Sequence, residues 1–235
     1  MYASRAVNAS INGYYDRARI DGLVAEGQHR AAVGGLWDEI GRLQFDFVVS
    51  HGLTPTSRVL DVGCGCLRGG VHFIRHLEPG HYFGIDLSES LLQAGYDVEL
   101  AALGLQHKLP RGNLIATDSF DPAPFGVTFD VLIAQSVFTH LPLNHIRLCL
   151  ARTAPFVREG GRFFATFFLC ATDAEWMGPR PVIDGITTWP ASDPYHYTAD
   201  HIAWCAHGLP WNVTIVGDWN HPRRQSMVIF ERQPA

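Results

Sequence analysis

Between residues 30 and 52 the apolar side chains Leu36, Ile40, Leu43 and Phe47 recur at three- and four-residue steps, with Trp37 and Val48 beside them. That spacing lays them along one stripe of an α-helix, so a helix facing a core is predicted there. Past Pro55 the period changes. Residues 58–62 form a short β-rich run, residues 63–70 are crowded with glycine, and Val71, Ile74 and Leu77 return to helical spacing. Strand, turn and helix are predicted in that order. A second strand is predicted over 81–85, ending at Asp86, and Ser88 is placed to cap a helix running through Leu91 and Leu92 towards Leu103. Apolar strands follow at 113–117, 129–134 and 162–169, with a helix at 143–157 between the last two. Strands alternating with helices build a parallel sheet covered on both faces. A helix at 199–207 precedes two closely spaced strands, 212–216 and 226–231, which read as an antiparallel hairpin at one edge. Residues 170–197 carry no sustained period and are rich in Pro, Trp, Gly and Asp. Their length marks a functional loop, because structureless connections beyond about 15 residues are uncommon.

The chain divides into an N-terminal helical arm or lid, residues 1–52, packed on one α/β core, residues 53–235. At 235 residues a single substantial core is the expected organisation. The 47% hydrophobic and 17% charged composition excludes a disordered or fibrous chain. A formal charge of -5 supplies no broad positive field, which removes nucleic acid and anionic membranes from the expected partners. No stretch approaches the roughly 20 apolar residues of a membrane span, and residues 1–10 lack the apolar core of a signal peptide. A cytoplasmic protein, monomeric or homodimeric, is expected. Five cysteines, an odd number in apolar or glycine-rich contexts, are expected to be reduced thiols.

Chemistry concentrates first at Val59-Leu60-Asp61-Val62-Gly63-Cys64-Gly65-Cys66-Leu67-Arg68-Gly69-Gly70. Glycines between a strand and a helix let the backbone bend sharply and approach a ligand, and free N–H groups at the helix start hold a polar or anionic group. Asp86, ending the next strand, is placed to accept two ribose hydroxyls. A dinucleotide would need a third glycine three residues after Gly65, and Arg68 stands there.

With these features the chain resembles class I S-adenosylmethionine-dependent methyltransferases, from about Val33 to Glu231. The resemblance implies a Rossmann-like, doubly wound α/β fold, with a seven-stranded, mostly parallel sheet and one antiparallel edge strand. It implies S-adenosyl-L-methionine as cofactor and S-adenosyl-L-homocysteine as product. The glycine turn resembles the family's first motif, so Asp61, Gly63, Gly65, Asp86 and Leu87 are expected to hold the cofactor. Asp118 and Ser119, beyond the third strand, fall where the adenine amino group is held. Gln135, in Phe129-Asp130-Val131-Leu132-Ile133-Ala134-Gln135-Ser136, falls where the fourth strand reaches the methionine part. Residues 33–41 and 219–225 resemble segments of bacterial small-molecule or sugar methyltransferases, which implies a small-molecule acceptor. Leu67 stands where many members carry a third glycine, and Arg68 is expected to compensate by pairing with a carboxylate.

His140, in Ser136-Val137-Phe138-Thr139-His140-Leu141-Pro142, is the candidate catalytic base for an acceptor hydroxyl or amine; the alternative is that it closes a helix before Pro142. Tyr14 and Tyr15 are expected over the cleft and near the acceptor, since aromatic rings suit a sulfonium cation. Tyr195 and His196 are expected to line the acceptor pocket, with Tyr197 beside them, or else to cover the sheet. Cys64, Cys66, His72 and His76 form a C-x-C-x5-H-x3-H pattern compatible with zinc, but buried thiols in a tight turn are the preferred reading and no metal is expected. Two rival functions stay open: a non-catalytic S-adenosylmethionine-binding or partner subunit, and a nicotinamide-dependent oxidoreductase.

Overall fold

The structure is a computed structural model that describes residues 11–183 and 185–234; the expectation for residues 1–10 lies outside them. Asp16 caps helix α1 (Arg17–Ala25) by accepting from the Arg19 N–H, and the short α2 (His29–Ala32) follows. Gly34, Gly35 and Leu36 then all take positive φ, which breaks the predicted helix before α3 (Trp37–Ser50) begins. Leu36 is therefore outside the helix and 39% exposed. The buried face of α3 is Ile40, Gln44 and Val48, an i, i+4 row that places one amide among the apolar residues.

The core then alternates. In chain order it contains β1 (Val59–Val62), α4 (Gly70–His76), β2 (Tyr82–Asp86) and α5 (Glu89–Ala94), which continues into a wide helical turn at Gly95–Leu100. Next come β3 (Leu114–Ala116), β4 (Phe129–Ala134), α6 (Leu143–Thr153) and β5 (Val157–Leu169). Ser88 caps α5 through the Leu91 N–H, as its position predicts. The long loop contains α7 (Asp173–Trp176), β6 (Arg180–Pro181), β7 (Thr187–Thr188) and β8 (His196–Tyr197). Helix α8 (Ala199–Ala206), β9 (Trp211–Gly217) and β10 (Ser226–Arg232) complete the chain.

The main sheet runs β3-β2-β1-β4-β5-β10-β9. Leu60 sits between Phe83 and Leu132 in parallel register, while β10 pairs antiparallel with β5 and with β9. β10 is thus the antiparallel strand, one place in from the edge strand β9. β8 pairs in parallel with the end of β5, through Phe168 and Leu169, and so stitches the long loop to the sheet where no strand is predicted.

Successive strand residues point to opposite faces, and the two halves of the core show it. Leu60, Leu132 and Phe163 pack with Ile146 and Leu150 of α6 and Ile202 of α8. Their neighbours Val59, Val131 and Phe164 pack on the other side with Val48 of α3 and Phe73 and Ile74 of α4. A smaller cluster of Ile20, Ala32, Cys66, Leu91 and Ala94 seats the N-terminal helices against α5. Every strand of the inner sheet is covered on both faces, which leaves its carboxyl ends as the place where a crevice opens.

Candidate functional site

A cleft open to solvent lies beyond the carboxyl ends of β1, β2 and β4. Gly63 and Gly65 form its floor, at φ 72° and 53°. A Cβ at Gly63 would stand 2.4 Å from Val137 Cγ2, and one at Gly65 would stand 2.7 Å from Val33 Cγ1. The turn therefore needs glycine for its backbone conformation and for its clearance. Leu67 keeps the left-handed conformation that the missing third glycine would favour, at φ 68°. Its side chain is fully buried under Gly70 and Gly95, where any Cβ would come within about 3.0 Å of it. Burial of a leucine offsets the ~1–2 kcal/mol of backbone strain.

Two carboxylates face the cleft. Asp86 accepts from Gly65 N–H at 2.8 Å and from Ser88 N–H at 2.9 Å, so the strand-end acid and the glycine turn are bonded to each other. Burial pushes its carboxyl up from the usual value, while the backbone N–H donors oppose the shift. Asp61 is almost fully buried and accepts from the Tyr82 hydroxyl at 2.7 Å. Burial raises it to about 7, and the Tyr82 hydrogen bond only partly counters this.

Arg68 lines the cleft and donates from Nη1 to the carbonyls of Val33 and Gly35, at 2.9 and 3.0 Å. Burial lowers its pKa. Beside it is a group that the sequence pattern does not single out. Gln44 of α3 lines the cleft, is 3% exposed, and its Oε1 has no hydrogen-bond partner. A buried, unsatisfied acceptor is costly, so this amide in the cleft wall would gain from a donor on a ligand.

At the end of β4, Gln135 and Ser136 line the opposite wall. Ser136 is held at φ 57° by its N–H to Thr166 Oγ1, at 2.8 Å, and its hydroxyl to Gln225 Oε1, at 3.0 Å. Thr166 also donates to Gln225 at 2.7 Å. The Gln135 amide lies 3.1 Å from His221 Nε2, and burial, with Arg68 and Arg223 nearby, pushes the His221 imidazole down to about 3. His221 is therefore neutral, buried behind Gln135.

His140 follows in the same turn and lines the cleft. Its Nδ1 lies 2.5 Å from Asp193 Oδ1 of the long loop. Its carbonyl accepts from Asn12 Nδ2 at 2.7 Å, and the Tyr14 ring meets its ring edge-on at 5.2 Å. Tyr14 and Tyr15 both line the cleft, placed there by the segment that precedes α1, and Leu87 lines it from the end of β2.

Four expected positions lie outside the lining of this cleft. Asp118 is exposed and outside the lining; Thr117 and Phe120 take that side of the cleft. Ser119 is also outside it, because its N–H and hydroxyl turn back to the Thr117 hydroxyl. Asp118-Ser119 is turn chemistry. His196 is fully buried, with Nδ1 at 2.8 Å from Thr188 Oγ1 and Nε2 at 3.0 Å from the Trp176 carbonyl, so it braces the long loop. Tyr195 lies outside the main cleft; it borders a shallow groove with Pro142, Pro190 and Tyr197, and its hydroxyl donates to the Ile11 carbonyl.

The four-residue zinc pattern is divided in space. Cys66 Sγ donates to the His29 carbonyl at 3.4 Å, whereas His72 and His76 pack against the Phe45 ring. Among the described residues no group of His, Cys, Asp and Glu is gathered to hold a metal, and no helix is long and apolar enough to cross a membrane.

Residues 60–163 match the family model described as a methyltransferase domain. Among solved structures, the chain is similar to the magnesium protoporphyrin IX methyltransferase of Synechocystis crystallised with bound SAM, at 14% identity and TM-score 0.64, over 97% of this chain and 100% of that one. It is similar to the CcbJ methyltransferase of Streptomyces caelestis at 14% identity and TM-score 0.66, over 96% and 100%. A third is an S-adenosylmethionine-dependent methyltransferase of Clostridium acetobutylicum, at 11% identity and TM-score 0.62, over 95% and 100%. The likeness runs over nearly the whole of each chain.

Proposed function

We infer, from a chain that carries a methyltransferase domain on the class I fold, that it transfers a methyl group from S-adenosylmethionine to a small-molecule acceptor. The observation that carries this reading is the hydrogen bond from Gly65 N–H to Asp86. It joins the glycine turn and the strand-end acid into one recess, in which Val137 and Val33 pack so closely on Gly63 and Gly65 that no side chain fits there. The residues fit an adenosyl-methionine group. Asp86 would take the ribose hydroxyls, and Leu87 and Phe120 would flank the base. Asp61 and the unpartnered Gln44 Oε1 would take the ammonium, and Arg68 the carboxylate. When bound, S-adenosylmethionine supplies a methyl carbon made electrophilic by its sulfonium and leaves as S-adenosylhomocysteine.

What remains for the protein is positioning, proton management and exclusion of water. Gln135, fixed beside neutral His221, and Ser136, fixed by Thr166 and Gln225, form a rigid wall on the acceptor side. His140 holds a basic nitrogen there. Tyr14 and Tyr15 cover the recess from the N-terminal segment. A non-catalytic binding protein would seal the acceptor side with the long loop, yet His140 keeps 25% of its side chain accessible, which favours catalysis. A solved O-methyltransferase family protein from Burkholderia thailandensis shares the fold at TM-score 0.64.

Calorimetric titration tests the reading. S-adenosylmethionine and S-adenosylhomocysteine are expected to bind and NADH is not, with Asp86→Ala weakening binding by about 1–3 kcal/mol. His140→Ala is expected to leave cofactor affinity nearly unchanged and to cut turnover by about 10²-fold or more. Binding of NADH alone would replace this reading with an oxidoreductase.

A further inference from the structure

We propose that Asp193 is the positioning residue for His140 and that the pair commits the enzyme to a hydroxyl acceptor, making the reaction O-methylation of an alcohol or phenol. This rests on the methyltransferase reading above. The geometry points to it through proton bookkeeping. A carboxylate only accepts hydrogen bonds, so the 2.5 Å contact between Asp193 Oδ1 and His140 Nδ1 places a proton on Nδ1, and the neutral ring then carries its lone pair on Nε2. The carboxylate thereby fixes both tautomer and ring orientation, the part an aspartate plays behind a catalytic imidazole.

Asp193 is carried to His140 by built contacts. Tyr195 N–H donates to the Thr139 carbonyl at 2.7 Å, and the Tyr197 hydroxyl donates to the Leu141 carbonyl at 2.6 Å. These bonds clamp the loop to the residues on either side of His140. Gly13 N–H approaches the second oxygen, Asp193 Oδ2, at 3.4 Å, and Asn12 fixes the His140 carbonyl. Three segments distant in sequence therefore converge on one imidazole.

The acceptor class follows from what such a base can do. A carboxylate acceptor is already an anion, and a neutral amine attacks with its own lone pair before its proton needs to leave. A hydroxyl gains most, because its oxygen becomes an adequate nucleophile only as its proton departs. In the step, the acceptor O–H bond breaks and its proton passes to His140 Nε2. The oxygen's electron pair forms the new C–O bond, and the pair of the breaking C–S bond stays with sulfur. The resulting imidazolium faces the Asp193 carboxylate and loses its proton to solvent through the accessible edge of His140.

The test combines spectroscopy with product analysis. In protein labelled with ¹⁵N-histidine, the His140 signals are expected to show a protonated Nδ1 and a bare Nε2. Asp193→Asn is expected to mix the tautomers and cut methyl transfer by about 10²-fold, leave the S-adenosylmethionine Kd within about twofold, and be partly rescued in Asp193→Glu. With ¹³C-methyl S-adenosylmethionine and a metabolite extract, the label is expected in a methyl ether. A protonated Nε2 in the wild-type enzyme, full turnover in Asp193→Asn, or label on nitrogen or a carboxylate overturns the proposal. Failure of the wild-type protein to bind S-adenosylmethionine would instead sink the methyltransferase reading on which it stands.

Discussion

At the scale of single residues, the cleft holds two polar groups whose unliganded state is unfavourable, and each makes a prediction. Burial raises the Asp61 carboxyl to about 7, so the folded protein binds that proton more tightly than the unfolded chain does. Without ligand, this group adds stability as pH falls from about 7 towards the ordinary value of 3.8, and its buried charge detracts from stability above that window. An ammonium pairs only with the carboxylate form. Binding of S-adenosylmethionine is therefore expected to release a proton below pH 7 and to weaken roughly tenfold per pH unit there. Calorimetry in buffers of different ionisation enthalpy reads both effects, and Asp61→Asn should flatten the profile. Gln44 makes a prediction of opposite sign for stability and binding. Gln44→Leu removes the unpartnered Oε1 from an apolar helix face, so the melting temperature should stay level or rise, while cofactor affinity falls by about 1–3 kcal/mol. A parallel loss of both would make Gln44 a packing residue only.

At the scale of elements, a buried acid ties the short helix α2 to the turn after α5. Glu99, 3% exposed in the wide turn after α5, receives Arg30 through two bonds of 2.7 Å and lies 2.7 Å from His29 Nε2. Burial raises its pKa, but the bonds from Arg30 and His29 outweigh this and hold it below 4.5. The staple therefore persists at neutral pH and is lost only in acid. Its far end matters to the site, because α2 leads into Val33 and Gly35, whose carbonyls hold Arg68. Glu99→Gln is expected to cost about 1–3 kcal/mol in denaturant unfolding, discounted because Arg30 is half-exposed. Cofactor affinity should fall with it as Arg68 loses its seat. Unchanged affinity in a destabilised Glu99→Gln protein would uncouple the staple from the cleft.

At the scale of the whole molecule, what was legible in the sequence was what is local. The alternation of Val59/Leu60, Val131/Leu132 and Phe163/Phe164 across the sheet, the glycine turn, and Asp86 at a strand end all lie within one period or one βαβ unit. Gln44 and Asp193 were not legible, because Gln44 reaches the cleft, and Asp193 reaches His140, only through tertiary packing; Asp193 stands 53 residues from its partner His140. His196 was misplaced because residues 195–197 form a strand-like stitch. Tyr195 and Tyr197 stack in parallel 6.2 Å apart, and the residue between them must point the other way. The same long-range convergence draws in residues 11–16. They bring Asn12, Gly13 and Tyr14 onto His140 and Asp193, yet the apolar cluster that seats the N-terminal helices has its first fully buried member at Ile20. Tyr14→Ala, which keeps the Asp16 cap of α1 and the seat of Ile20, should therefore lower the melting temperature by no more than about 4 °C, the shift of about 1 kcal/mol in a chain of this size. Methyl transfer should fall by tenfold or more as His140 loses the ring against it and the recess admits water. Scanning calorimetry beside a turnover assay separates the two, and a collapse of the thermal transition would show that Tyr14 is part of the core and not a cover.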